Sequence, residues 1–223
     1  MKRKICSLAL AAALLLGLLA GCGSTKTVVA SETYTVDKNP AVSVEGTWIV
    51  PGKDRELTFA ADGTYTSTIS SSMNGQYAYY TDIEGFALAD AFDTLSYVVL
   101  SDADGEEQIF GAVLGDIFVG YYNNDQCYYF REQRDMVPAA DFLGNWVDAS
   151  GGAYTMSLRE DGTGTIGEED DLRDCTYRYD ETTGYLTITE DEEDTEYAVG
   201  MHEGYLFLMP VGKYYSMYLY QPA

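Results

Sequence analysis

The chain has 223 residues, in which 13 lysines and arginines face 36 aspartates and glutamates, a formal net charge of −23 with a single histidine. Binding to phosphate backbones needs clustered Lys and Arg, so this composition argues against nucleic acid as a partner, and it disfavours direct adsorption to anionic lipid. The partners that such a field draws in are cationic, namely basic proteins, basic peptides or metal ions; the same acidity also serves solubility alone.

The chain opens with Met1-Lys2-Arg3-Lys4, followed by an apolar run from Ile5 to Ala20 and then Gly21-Cys22. A charged start, an apolar stretch and small residues before a cleavage point describe a secretory leader. A permanent transmembrane helix with Cys22 as a bystander is the alternative, but the run falls short of the about 20 apolar residues that a spanning helix needs. Leu19-Ala20-Gly21-Cys22 resembles the lipobox of bacterial lipoprotein signals. That resemblance implies a signal peptide over 1–21, cleavage before Cys22 and transfer of a diacylglycerol to its thiol. The bilayer is then a partner through acylated Cys22 (a palmitate-type anchor), and the protein is exported and held on the extracytoplasmic face of the cell membrane. Two or more acyl chains anchor stably, whereas one is marginal. Residues 22–43 carry Gly, Ser, Thr, Lys, Asn and Pro without sustained periodicity and read as a lipid-anchored linker.

The remainder is long enough for one large domain or two small ones. Internal similarity decides between them. Gly46-Thr-Trp48 followed by Leu57-Thr-Phe59 and Asp62-Gly63-Thr64-Tyr65 recurs as Gly144-Asn-Trp146 followed by Met156-Ser-Leu158 and Asp161-Gly162-Thr163. Gly75-Gln-Tyr77 maps onto Cys175-Thr-Tyr177, Gly115 to Phe118 onto Gly204 to Phe207, and Cys127 to Arg131 onto Ser216 to Tyr220. The chain reads as a duplication with units over 44–132 and 142–221, joined by a linker over 133–141 in which Pro138-Ala-Ala-Asp-Phe142 predicts one helical turn.

Both units have β texture, with short runs of Tyr, Thr, Val, Ile, Leu and Phe alternating with polar residues and cut by turn residues. Asp62-Gly63 and Asp161-Gly162 predict tight hairpins. In the second unit strands are expected near 144–148, 153–159, 162–167, 173–179, 184–189, 194–200, 204–209 and 213–220; the first unit repeats the list with a less regular middle around Asp82 to Asp93. Eight consecutive antiparallel strands leave exposed edges unless they close, which predicts an all-β chain of two tandem up-and-down barrels.

Gly46-x-Trp48 and Gly144-x-Trp146, each opening such a unit, resemble the Gly-x-Trp signature of lipocalins and the wider calycin proteins. The longer pattern through Asp-Gly-Thr-Tyr and Gly-x-Tyr is similar to small lipocalin-like domains of secreted bacterial lipoproteins. The resemblance implies that an Arg from the last strand covers the Trp and closes the barrel floor, a role that falls to Arg131 in the first unit. The second unit departs from the pattern, with Tyr220 expected at that place. Each unit is shorter than a full lipocalin, so the resemblance carries the fold and not a ligand.

No nucleophile elbow, phosphate loop, Rossmann glycine pattern or zinc-protease motif is present, no cofactor motif appears, and His202 falls in a predicted turn, so no catalytic residue is assigned and a non-enzymatic protein is expected. Cys127 and Cys175 form an even pair in an exported chain, which leaves open a disulfide between the units or two buried thiols. Asp102 to Glu107, Glu168 to Asp171 and Glu190 to Asp194 gather carboxylates but lack a full calcium-loop spacing, so no metal site is assigned. Twenty tyrosines, many in adjacent pairs such as Tyr79-Tyr80, Tyr121-Tyr122 and Tyr128-Tyr129, place one ring of each pair inward and one outward. The expectation is a binding lipoprotein that takes a small ligand or envelope component through its barrels. The alternative is an occluded interior and an outer surface that binds or inhibits a basic protein partner. Oligomeric state has no sequence signal.

Overall fold

A computed structural model of the protein describes residues 35–69, 73–83, 91–105, 107–122, 125–213 and 215–223. The leader, with Cys22, lies outside the described residues, as do Glu106 of the first acidic cluster and Tyr214. The chain is all-β, and its strands form two closed antiparallel barrels of eight strands each. The arrangement is consistent with a lipocalin-like fold. Among the described residues no helix is long and apolar enough to cross a membrane.

Barrel 1 runs β1 (Gly46–Ile49), β2 (Glu56–Phe59), β3 (Thr64–Ser67), β4 (Asn74–Tyr80), β5 (Ser96–Asp102), β6 (Glu107–Leu114), β7 (Ile117–Tyr122) and β8 (Asp125–Arg131). Each strand pairs with the next, and β8 returns to β1 through Trp48↔Arg131 and Ile49↔Phe130. After α1 (Ala139–Phe142), barrel 2 repeats the meander with β9 (Gly144–Asp148), β10 (Tyr154–Leu158), β11 (Thr163–Glu168), β12 (Asp171–Asp180), β13 (Tyr185–Glu190), β14 (Glu193–His202), β15 (Tyr205–Pro210) and β16 (Tyr218–Pro222). The last strand begins later than its tyrosine-rich sequence predicts.

The repeat extends to individual hydrogen bonds. The Trp48 indole donates to the Val44 carbonyl at 2.6 Å, and Trp146 to Phe142 at 2.9 Å. Asp62 Oδ1 accepts from both the amide and the hydroxyl of Thr64, as Asp161 does from Thr163. Those bonds hold both carboxyls below the usual range. The hydroxyls of Tyr77 and Tyr177 donate to the carbonyls of Ala60 and Arg159, which ties β4 and β12 over the same hairpins. Gly63 and Gly162 supply the left-handed backbone those turns require, with φ of 85° and 79°.

Part of the segment that composition reads as linker is held against barrel 1. Val36 bridges to Tyr80, the Val42 amide donates to Ser96 Oγ, and the Val44 amide donates to Tyr79 Oη at 2.6 Å. Alternation alone misses this segment, because it contributes single hydrogen bonds rather than a strand.

Interior positions follow from the pleat. In barrel 1 the rings of Trp48, Phe59 and Tyr129 surround Phe118, with centroids 6.0, 6.2 and 5.9 Å from it. Phe118 occupies space left by two facing glycines, since a Cβ on Gly111 or Gly120 would lie 2.6 or 2.8 Å from its ring. Barrel 2 builds its core from smaller aliphatic groups, among them Met156, Leu158, Ile166, Leu186, Ile188, Val199, Leu206 and Leu208, around Trp146 and Phe142.

Candidate functional site

The floor of barrel 1 is the place where sequence expected a closing motif. Arg131, paired with Trp48 across the β8–β1 seam, sets its guanidinium 4.3 Å from the indole centroid. Nε binds Asp116 Oδ1 at 2.9 Å, and the two terminal nitrogens donate to the carbonyls of Glu45 and Ser43. One side chain therefore joins the start of β1, the β6–β7 turn and the end of β8. Gly46, with φ of 111°, brings the chain against that guanidinium: a Cβ there would lie 3.4 Å from Arg131 Nη1.

Barrel 2 closes differently. The residue across the seam from Trp146 is Pro222, and Tyr220 faces Asp148 instead. The expectation that Tyr220 stands in the place of Arg131 is corrected by two positions. A slip of two residues keeps every side chain on its face, so alternation cannot detect it. Gly144 has no atom within 4 Å of where a Cβ would stand, in agreement with the missing Arg. This floor is sealed by Phe142, which ends α1, is fully buried and stacks edge-on to Tyr179 at 4.8 Å. The Tyr179 hydroxyl in turn donates to the Val137 carbonyl at 2.8 Å.

Cys127 and Cys175 are buried and neither is joined in a disulfide. Each belongs to its own barrel wall, Cys127 opposite Gly120 and Cys175 opposite Gly164. Burial raises the Cys175 thiol pKa, assisted by Glu190. His202 ends β14 with Glu203 3.7 Å away. Among the described residues no three His, Cys, Asp or Glu side chains converge to hold a metal ion.

The informative difference lies at the opposite ends of the barrels. In barrel 1 Asp102 and Tyr122 face inward there, half-buried beside Tyr65, and four further inward positions, Val50, Met73, Ile109 and Cys127, are buried. Their counterparts in barrel 2 are polar or aromatic. Counting from the Gly-x-Trp strand, Val50 becomes Asp148. Counting from the Asp-Gly-Thr hairpin, Met73 becomes Arg173. Counting from the β6–β7 turn, Ile109 becomes Tyr197, and counting from the seam, Cys127 becomes Tyr218. Tyr154 and Glu190 complete the set at the start of β10 and the end of β13.

These side chains meet. Arg173 Nη2 lies 3.0 Å from Glu190 Oε2, and the rings of Tyr197 and Tyr218 stand edge-to-face at 6.1 Å. Tyr154 lies beside Arg173, and burial together with the neighbouring phenols and Glu190 pushes Tyr197 up to about 12. Burial raises Tyr220 as well. These hydroxyls are neutral donors at physiological pH. Although Tyr154 and Tyr218 occupy inward registers next to the buried Met156 and Tyr220, they remain 37% and 45% exposed. Both inward rings therefore meet solvent at this rim.

Two acidic hairpins rim this end. The β11–β12 turn carries Glu168, Glu169, Asp170 and Asp171, and the β13–β14 turn carries Glu190, Asp191, Glu192 and Glu193. The sequence shows both as carboxylate clusters without a calcium-loop spacing and sets one ring of each tyrosine pair outward, but does not join the two. Their convergence depends on the barrel, which brings alternate connections to one end. No family model matches the chain, and no curated protein or solved structure matches it either.

Proposed function

We propose that the chain is a non-enzymatic binding lipoprotein, acylated at Cys22, held on the extracytoplasmic face of the cell membrane, that takes a small ligand or envelope component at the polar end of barrel 2. The observation that carries this reading is the contrast between two copies of one fold. Val50, Met73, Ile109 and Cys127 are buried at the end of barrel 1, where Asp102 and Tyr122 also face inward, and Asp148, Arg173, Tyr197 and Tyr218 stand at the positions of those four in barrel 2. Concave sites combine aromatic area with a few convergent polar groups, as this end does. Barrel 1, packed by aromatic rings, acts as scaffold or through its outer surface, and a basic protein partner suits it best.

Native mass spectrometry on the full chain, expressed in an exporting bacterial host and released in mild detergent, tests both halves of the proposal. Acyl mass on the wild type that disappears in Cys22→Ser supports the anchor; the same mass in both overturns it. A further noncovalent mass that Tyr218→Ala abolishes supports the ligand site. A bare polypeptide, with or without that substitution, overturns the small-ligand reading in favour of the protein-partner one.

A further inference from the structure

The ligand's chemical class follows from what faces inward at this end of barrel 2, an inference that rests on the binding function proposed above. Besides Glu190, the inward registers at the rim hold Glu168, Asp171 and Glu193, with Asp148 just inside. Asp148 is already engaged, accepting from the amide and hydroxyl of Ser150 at 2.7 and 2.5 Å. Arg173 is the one cation among these inward residues.

Glu190 is the acceptor with capacity left. Its Oε2 is shielded from solvent and accepts no hydrogen bond, so the contact with Arg173 is an ion pair without hydrogen-bond alignment. Shielded carboxylate oxygens are normally hydrogen-bonded, and this one, on a side chain 26% exposed, has the ion pair with Arg173 in place of a hydrogen bond. Around it stand the rings of Tyr154, Tyr197 and Tyr218, two of them half exposed. A ring face attracts a cation through its quadrupole, and attracts it more strongly where water is partly excluded.

We propose that the polar end of barrel 2 binds an organic cation, an alkylammonium or guanidinium group that lodges among Tyr154, Tyr197 and Tyr218 and takes Glu190 as counter-ion in exchange for Arg173. Arg173, with its side chain 44% exposed, swings to solvent without losing a buried position. The acidic rim concentrates cations at the entrance and rejects anions.

Spermidine, agmatine, a neutral disaccharide and a dicarboxylate, titrated calorimetrically into the full chain in low-salt buffer, separate the outcomes. The expected result is binding of spermidine or agmatine that weakens with added salt, weakens about tenfold in Glu190→Gln, and tightens in Arg173→Ala, where the internal competitor is gone. Tyr218→Ala, at an exposed ring that leaves the core intact, weakens it independently. Cation binding that neither Glu190→Gln nor Tyr218→Ala changes is binding to the acidic surface and overturns the inference. Binding of the disaccharide or dicarboxylate with sensitivity to Tyr218→Ala overturns the cation class and leaves the ligand site standing. If no probe binds and the native mass is bare, both readings fall.

Discussion

Trp48 and Trp146 occupy the same place in two copies of one barrel, yet Arg131 lies across the seam from the first and Pro222 from the second. The difference locates the fastening of barrel 1 in a single side chain. Arg131→Ala removes an indole contact at 4.3 Å, an ion pair to Asp116 and two donors to backbone carbonyls. It is expected to destabilise barrel 1 by about 2–3 kcal/mol in urea unfolding. Asp116→Ala, at a side chain 43% exposed, costs well under about 1 kcal/mol. Pro222→Ala costs little, because Phe142 and not the last strand seals that floor. Equal losses at Arg131 and Asp116 would make the ion pair, and not the stacking, the fastening.

The Phe118 ring fits over Gly111 and Gly120. Gly111→Ala places a methyl where the ring stands and is expected to cost about 1–3 kcal/mol through overpacking. Counted from the β6–β7 turn, barrel 2 carries Val199, Leu206 and Leu208 at the positions of Gly111, Phe118 and Gly120, so the residue corresponding to Phe118 is Leu206 and not Phe207, one position from the sequence match. Phe118→Leu in the Gly111→Ala background should therefore recover part of the loss. A double-mutant cycle measures the coupling, and strict additivity would show that the ring and the glycine do not share the space.

Two interior tyrosines predict opposite responses to loss of a hydroxyl. Tyr65 is buried and its Oη makes no hydrogen bond, so Tyr65→Phe is expected to be neutral or to stabilise by up to about 1 kcal/mol. Tyr79→Phe strands the Val44 amide and costs about 1–2 kcal/mol. Burial, with Asp102 and Tyr122 nearby, pushes Tyr65 up to about 12. The unfolded phenol titrates near 10, so the folded state holds this proton more tightly. The contribution is complete below about pH 10 and is lost as pH rises through about 12. Alkaline unfolding followed by circular dichroism and by tyrosinate absorbance should begin at higher pH in Tyr65→Phe than in the wild type.

The β13–β14 hairpin turns on Asp191 and Glu192, both with left-handed backbone at φ of 49° and 70°. Such turns favour Asn-Gly. Glu192→Gly is expected to raise the stability of barrel 2 by about 1 kcal/mol, read from thermal unfolding, since a side chain in that conformation is costly. An unchanged midpoint would mean that the turn relaxes in solution.

Both barrels were legible in the sequence because Asp-Gly turns, Gly-x-Trp and the alternation of apolar residues act locally. Asp62 and Asp161 bond to residues two positions away, so a short window contains them whole. What stayed illegible depends on closure. The Trp146↔Pro222 register is invisible to a period of two, the hold of Val42 on Ser96 spans 54 residues, and the union of Arg173, Glu190, Tyr197 and Tyr218 requires strands far apart in sequence to curl into one wall. Each of those residues alone reads as a solvated charge or a strand tyrosine.

Each strand of barrel 1 from β2 to β8 can pair as soon as its predecessor exists, but β1 has one side that waits for β8, which pairs with it through Trp48↔Arg131 and Ile49↔Phe130. Neighbour-to-neighbour pairing keeps contact order low and favours fast assembly, and the wrap-around pairing alone pays a long loop closure. For a polypeptide synthesised from its amino end, the Gly-x-Trp strand is thus the first strand of the barrel to appear and the last to gain its second neighbour. Amide exchange should be quickest along that junction, and Arg131 is the residue that shortens the time it spends open.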